Sequence, residues 1–240
     1  AIDRGPINDD YYAFAQGIRQ WQEIAGEVHL WDYGFAGILT IADNARAARR
    51  LGMTGMKVDA IIDIQSGFGF LRYWLWAQSM RNADWDDDWG MREFLGAYYE
   101  AAGVPIERYI RLVANPRNYE PLSAKRMVIW DVTSAHNLVG EGFAQGSPGW
   151  QQLSYGCHIS YRRLTDEAIE RSYRLFEQAR KAVDDDAKAR NHVEAARMEL
   201  QYVMLEHLPA DDPRLKDEAI SLLRLTKKLE MRAIRHMSRN

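Results

Sequence analysis

Two short stretches decide the fold of this chain: VHLWDY (residues 28–33) and TGMKVD (residues 54–59). Each is interpreted as a β-strand that leads into a loop and a helix, so residues 28–82 form two consecutive strand–loop–helix units. The first stretch carries Asp32 near its end and the second ends on Asp59. Because the chemistry of parallel barrels gathers at the carboxyl ends of the strands, these two carboxylates are the first candidates for function.

Helical periodicity surrounds the two strands. It predicts helices over residues 9–25, 41–51, 68–80, 87–102 and 105–114, and three more beyond residue 165 that form a bundle. Thr40 and Asp43 fit a reciprocal capping pattern at one helix start, and the helix over 68–80 is apolar nearly all round, which predicts burial on most sides. Residues 103–105 (Gly-Val-Pro) are expected to separate two helices. We therefore predict an α/β unit over residues 1–82 and an α-helical domain over residues 83–240, with an irregular, Pro- and Gly-rich stretch at about 115–163.

Composition limits the classes of partner. The chain has 240 residues, of which 47% are hydrophobic, enough for the core of one or two domains. A net charge of −3 shows no basic excess for nucleic-acid binding, and the absence of a long apolar run argues against a membrane span. The single cysteine, Cys157, excludes an internal disulfide framework and a CxxC motif. Because the chain starts with Ala1 and not with methionine, we expect a piece of a longer polypeptide.

Aromatic side chains flank the first carboxylate. Asp32 lies between Trp31 and Tyr33, with Phe35 close behind. Aromatic rings stack on the apolar face of a sugar while an acid binds hydroxyls or moves protons, so this set is typical of a carbohydrate site. The alternative is structural, since an Asp at a strand end also caps helices or accepts backbone hydrogen bonds.

The second carboxylate has polar neighbours of its own. Lys57 lies two residues before Asp59 on the same strand face and could depress the pKa of that carboxyl group. Asp63 and Gln65 follow in the next loop. Asp32 and Asp59 could serve as acid and base, a hypothesis that depends on their separation.

Other motifs predict no metal or cofactor. The acidic run over residues 84–89 has Trp89 where a calcium loop needs glycine, so we interpret it as a helix start. The histidines lack a paired metal-ligand spacing, and Cys157 beside His158 is interpreted as an incidental thiol. A set of aromatic residues at helical spacing favours core packing over a ligand box: Tyr73, Trp74, Trp76, Trp85, Trp89, Tyr98 and Tyr99.

Several motifs together resemble the C-terminal part of the DUF4838 family. They are Trp21, VHLWDY (28–33), Asp43-Asn44, GMTG (52–55), LRYWLWA (71–77), EFLGAYY (93–99) and Tyr109-Ile110. The resemblance covers about residues 7–113 and continues loosely over residues 164–208. The family usually has glycine after the paired tyrosines, where this chain has Glu100. It also usually places an acidic or amide residue before a glycine at the end of the last strand, where this chain has Val58-Asp59-Ala60.

The resemblance implies a fold and a function. Proteins of this family look like the α-glucuronidase group of glycoside hydrolases, with a (β/α)8 TIM barrel followed by a helical domain. Residues 28–33 and 54–59 would then be the last two barrel strands. The expected function is that of the C-terminal portion of a glycoside hydrolase, with little catalysis by the isolated chain. Asp32 and Asp59 would be catalytic, and the substrate-binding residues would be Trp31, Tyr33, Phe35, Asp63 and Gln65.

The expected partners are a carbohydrate and either the missing N-terminal part of the barrel or another protein chain. A secreted or periplasmic location follows if the hydrolase hypothesis holds. The alternative function is a non-catalytic helical interaction or assembly module, in which the strands pair with a partner through their open edges.

Overall fold

The computed structural model describes residues 9–32, 38–58, 67–118 and 164–228 of the chain. This part is mainly α-helical and contains one two-stranded sheet. The first elements are α1 (Asp9–Ile24), β1 (His29–Asp32), α2 (Ile41–Arg50), β2 (Gly55–Val58) and α3 (Gly69–Arg81). The helices that follow are α4 (Asp87–Tyr99), α5 (Gly103–Val113), α6 (Asp166–Ala182), α7 (Ala187–His207) and α8 (Leu215–Lys228).

Both predicted strands form, and they pair in parallel. β1 and β2 are four residues each, shorter than the six-residue stretches that predicted them, and their register joins His29 to Gly55 and Asp32 to Val58. Because α2 connects two parallel neighbours, residues 29–58 form a β-α-β unit. The predicted helices are also confirmed to within a few residues. Most of the predicted irregular stretch, residues 119–163, lies outside the described residues.

Three local predictions differ from the structure. Thr40 does precede α2, but its side chain makes no capping hydrogen bond, because a 3-10 turn over Ile38–Thr40 already leads into the helix. Helix α3 is less buried than predicted, since Phe70 is 42% and Met80 46% exposed. The Gly-Val-Pro sequence does not separate helices but starts α5, where Pro105 is tolerated because first-turn N–H groups have no intrahelical acceptor.

Helix α4 begins as its acidic sequence predicted. The side chain of Asp86 accepts a hydrogen bond from the backbone N–H of Trp89 at 2.9 Å and so caps the helix. The neighbouring aspartates Asp84, Asp87 and Asp88 bind Arg49, Arg46 and Arg111, respectively. The acidic run therefore starts α4 and also ties it to α2 and α5.

A continuous hydrophobic core joins the β-α-β unit to the helices. It includes Ile41 of α2, Trp76 of α3, Tyr99 of α4 and Phe176 of α6, each 1% exposed or less. Met56 and Val58 of β2 pack against it in part. The core thus takes side chains from both sides of residue 82, while the predicted domain boundary there stays a prediction.

The turn after α4 holds a non-glycine residue in an unfavourable conformation. Glu100 has φ of 52° and ψ of −129°. Backbone of this kind is open to glycine, whereas a side chain with a Cβ is strained in it. This is the position at which glycine is usual in the DUF4838 resemblance, and the backbone geometry supplies a physical reason for that preference.

Candidate carbohydrate site at the strand ends

The carboxyl ends of β1 and β2 meet at one edge of the sheet. The strands are parallel, Asp32 is the last residue of β1, and it pairs with Val58, the last residue of β2. Asp59 follows directly in the sequence. The arrangement of two strands side by side and pointing the same way, on which the predicted site depends, is therefore present.

Trp31 and Lys57 form the described part of this site. They are directly opposite each other in the register, and Nζ of Lys57 lies 4.3 Å from the centroid of the Trp31 ring. This distance is within the range of a cation–π interaction. Met56 and Val58 pack toward the core, so alternation along β2 places Lys57 on the opposite face, where Trp31 is 56% exposed. The outer face of the sheet therefore presents an accessible aromatic ring beside a positive charge.

The structure describes only some of the predicted site residues. Trp31 is placed with its side chain, and Asp32 is placed by its backbone in β1. The remaining predicted residues lie outside the described part of the chain: Tyr33, Phe35, Asp59, Asp63 and Gln65. The pairing of Asp32 with Asp59 as acid and base stays a prediction.

Helix α7 approaches the chain at Gly67, just before α3. Gly67 has a φ of +45°, and a Cβ built on it would lie 2.0 Å from Oε1 of Glu199. Glu199 is far away in sequence, and no motif near it indicated a place close to the strands. A carboxylate of α7 therefore lies against Gly67, two residues before α3, and only the tertiary structure reveals this contact.

An aromatic cluster lies close to this carboxylate. Burial raises the pKa of Tyr99 well above its usual range, and the charges of Tyr98 and Glu199 raise it further. The ring of His192 stacks on Tyr98 at a centroid distance of 3.8 Å, and the Tyr98 carbonyl oxygen accepts a hydrogen bond from Nδ1 of His192 at 2.7 Å. Tyr98 and His192 thus connect α4 to α7.

The predicted preference of the aromatic set for core packing holds for most of its members. Trp76 and Tyr99 are buried, and Trp74 and Trp85 pack edge to face at 5.4 Å. Trp89 differs, because 59% of its side chain is exposed on α4. Helical spacing identified the core residues but did not separate Trp89, the tryptophan of this set that faces solvent.

A cavity of about 550 Å³ lies at the other end of β2. Its lining includes Thr54 and Gly55, at the start of the strand, and Ala48 of α2. Parallel α/β folds carry their sites at the carboxyl ends of strands, so this cavity lies at the end opposite to the predicted site.

Within the described ranges, no group of three or more His, Cys, Asp or Glu residues is arranged to hold a metal ion. None of the described helices is long and apolar enough to cross a bilayer.

The fold defines a mainly helical protein built around a parallel β-α-β unit. Residues 1–111, a little under half of the chain, match the model of the DUF4838 family, described as a domain of unknown function. The match confirms the resemblance seen in the sequence motifs and ends within α5. No curated protein and no solved structure matches the chain.

Proposed function

We propose that this chain is the C-terminal portion of a carbohydrate-active glycoside hydrolase, in which β1 and β2 are the last two strands of a (β/α)8 barrel. The observation that carries the proposal is the exposed ring of Trp31 beside Lys57 near the carboxyl edge of a parallel strand pair. Exposed aromatic rings stack on sugars, and ligands of barrel enzymes bind at this edge. The match of residues 1–111 to the DUF4838 model supports the sequence resemblance. That resemblance in turn implies a likeness to α-glucuronidases.

The charge of Lys57 favours an acidic sugar. Its ammonium group lies over the Trp31 ring, 4.3 Å from the centroid, so a sugar that approaches this ring would meet a cation able to bind its carboxylate. A glycan that carries uronic acid groups would combine both interactions. A neutral glycan would keep only the stacking contact.

Asp32 and Asp59 act in this proposal as secondary acids or as ligands for sugar hydroxyls. Tyr33, Phe35, Asp63 and Gln65 would line the site from the two loops that follow the strands. Two strands do not close a barrel, so the principal acid belongs to another part of the enzyme. Unchanged turnover of the full-length enzyme after both Asp32→Asn and Asp59→Asn would remove these two residues from the mechanism.

A binding experiment tests the aromatic platform. Affinity electrophoresis in gels containing glucuronoxylan should show retardation of the wild-type chain, and Trp31→Ala should weaken the binding about tenfold, equal to about 1.4 kcal/mol. Trp89→Ala is the matched control, because Trp89 is 59% exposed against 56% for Trp31 but lies on α4, away from the strands. Lys57→Gln should weaken retardation by glucuronoxylan and leave that by unsubstituted xylan unchanged. Equal retardation of the Trp31 and Trp89 variants would overturn the proposal.

The alternative is a non-catalytic assembly module, and one observation favours it. On α1, Trp21 is 62% and Ile24 is 80% exposed, which leaves two large apolar side chains uncovered next to β1 in the sequence. A partner that packs on α1 and pairs with the sheet edge would cover both. Under this alternative, no glycan retards the wild-type chain in the same gels, and Trp21→Glu weakens a complex between the chain and its protein partner.

A further inference from the structure

An open cavity that is lined by four arginines lies between helices α5 and α6. The helices pack against each other, and the cavity between them measures about 550 Å³. Arg108 and Arg111 line it from α5, and Arg171 and Arg174 line it from α6. None of its lining residues is a carboxylate. Its size is that of a small-molecule site, for which about 300–1,000 Å³ is typical.

Only one of the four arginines has a carboxylate partner. Arg111 donates hydrogen bonds to Glu107 at 2.9 Å and to Asp88 at 2.7 Å. Arg108, Arg171 and Arg174 make no ion pair or hydrogen bond within the ranges that the structure describes. Guanidinium groups stay charged at every physiological pH, so three positive charges at this cavity are not neutralised by described carboxylates.

The position of Arg174 shows that its lack of a partner follows from its neighbours. Two carboxylates lie at helical spacing from it, Glu170 one turn before and Glu177 one turn after. Both bind other arginines: Glu170 binds Arg214 at 2.6 Å, and Glu177 binds Arg180 at 3.1 Å. The acidic side chains of α6 that lie one turn from Arg174 are therefore engaged by other arginines.

The arginines are also arranged as like-charged pairs. Arg108 and Arg111 are three residues apart on α5, and Arg171 and Arg174 are three residues apart on α6. Such spacing brings the side chains together on one helix face, where equal charges repel. The effect applies to Arg171 and Arg174, which have no carboxylate partner among the described residues, whereas the charge of Arg111 is offset by Glu107 and Asp88. An anion bound between the two helices would be attracted by these arginines, and this attraction would offset the repulsion between them.

Amide side chains complete the donors at the cavity. Asn115 and Gln178 line it beside the arginines. The side-chain oxygen of Asn115 accepts a hydrogen bond from the backbone N–H of Arg117 at 3.1 Å. The NH₂ group is the hydrogen-bond donor of the same side chain. A cavity rich in N–H donors and without carboxylates is suited to a ligand that consists mainly of anionic acceptor oxygens.

We propose that the cavity between α5 and α6 binds a small ligand with two or more anionic groups, either carboxylates or phosphates. Arginine forms paired hydrogen bonds with both kinds of group, and charges on two helices select a ligand long enough to reach both. The site lies on different elements from Trp31 and does not depend on the carbohydrate proposal.

Isothermal titration of the whole chain with citrate and with pyrophosphate, at constant ionic strength, tests the proposal. At least one of the two should bind saturably with a dissociation constant below about 1 mM, whereas the monoanion acetate should not. Arg171→Gln/Arg174→Gln should weaken binding by at least about tenfold, because charge-assisted hydrogen bonds are lost. The matched control is Arg19→Gln/Arg224→Gln, which removes two exposed arginines of α1 and α8 and should leave binding unchanged.

The outcomes separate the two ligand classes and the two proposals. Binding of citrate alone assigns a polycarboxylate, and binding of pyrophosphate alone assigns a phosphorylated ligand. The proposal is overturned if neither ligand binds, if acetate binds equally well, or if the arginine double variant binds like its control. Arg108→Gln serves as a second variant if the double variant loses its helical circular dichroism. Trp31→Ala should retain citrate or pyrophosphate binding, so a failure of the carbohydrate proposal would leave this result intact.

Discussion

Substitution by alanine should change the stability of the protein in opposite directions at two glycines of α4. Gly90 is buried in the first turns of the helix, and Gly96 is exposed further along it. A Cβ at Gly90 would lie 1.9 Å from Cζ3 of Trp85, whereas a Cβ at Gly96 would have nothing within 4 Å. Alanine at either position favours the helix by about 0.5–1 kcal/mol relative to glycine, so the difference between the two variants reports the packing at Gly90.

Moving the Trp85 ring to make room for a methyl group costs free energy, because two contacts hold the ring in place. Its Nε1 donates a hydrogen bond to Oγ of Ser79 at 3.1 Å, and the ring packs against Trp74 at 5.4 Å. Overpacking costs about 1–3 kcal/mol, and loss of the indole hydrogen bond adds about 1 kcal/mol if the ring moves away. After the helix gain is subtracted, Gly90→Ala should destabilise the protein by about 1–3 kcal/mol, while Gly96→Ala should stabilise it by about 0.5–1 kcal/mol.

Urea unfolding followed by circular dichroism at 222 nm measures both changes, and thermal unfolding checks them. For a chain of this size, 1 kcal/mol corresponds to about 2–4 °C, so Gly90→Ala should lower the melting temperature by about 2–12 °C and Gly96→Ala should raise it by about 1–4 °C. A Gly90→Ala variant as stable as the wild type, or changes of the same sign at both positions, would refute the packing of Trp85 over Gly90.

Two further predictions concern the turn after α4 and the turn before α8. Glu100→Gly should stabilise the protein by about 1 kcal/mol in urea unfolding, because glycine adopts a φ of 52° without strain. Glu100→Ala keeps the Cβ and should change little, and a Glu100→Gly variant no more stable than Glu100→Ala would exclude strain at this turn. Hydrogen bonds from the side chain and backbone of Arg214 lower the pKa of Asp212 to about 2. The ionised carboxylate therefore stabilises the fold above the unfolded-state pKa of about 4, and this contribution is lost as the pH falls toward 2. Asp212→Asn should lower the urea midpoint at pH 7, and the gap to wild type should close between pH 4 and 2; a gap that stays constant over this range would contradict the pairing.

Local sequence was sufficient to predict the secondary structure of the described residues. The periodicity of α6, α7 and α8, the helix start at the acidic run and the two strands depend on neighbours within a few residues, and each was predicted. The capping hydrogen bond of Asp86 was not predicted. The prediction failed where a longer-range contact decided the outcome. Gly103 begins α5 because a Cβ there would lie 2.9 Å from the backbone of Leu95, so the glycine allows a close approach of α4 and α5 and does not break the chain.

For the candidate sites, too, local sequence determined one part of the arrangement and long-range contacts determined the other. By itself, the sequence determined that Trp31 and Asp32 lie on a strand, that a second strand follows, and that about residues 7–113 carry the motifs of DUF4838. Only the tertiary structure decided that Lys57 lies over the Trp31 ring, and that arginines from α5 and α6, about 60 residues apart, share one cavity. Alternation and helical periodicity assign a side chain to a face of its own element. Which face of another element it meets depends on how the whole core packs, and that packing is set by contacts between residues far apart in the chain.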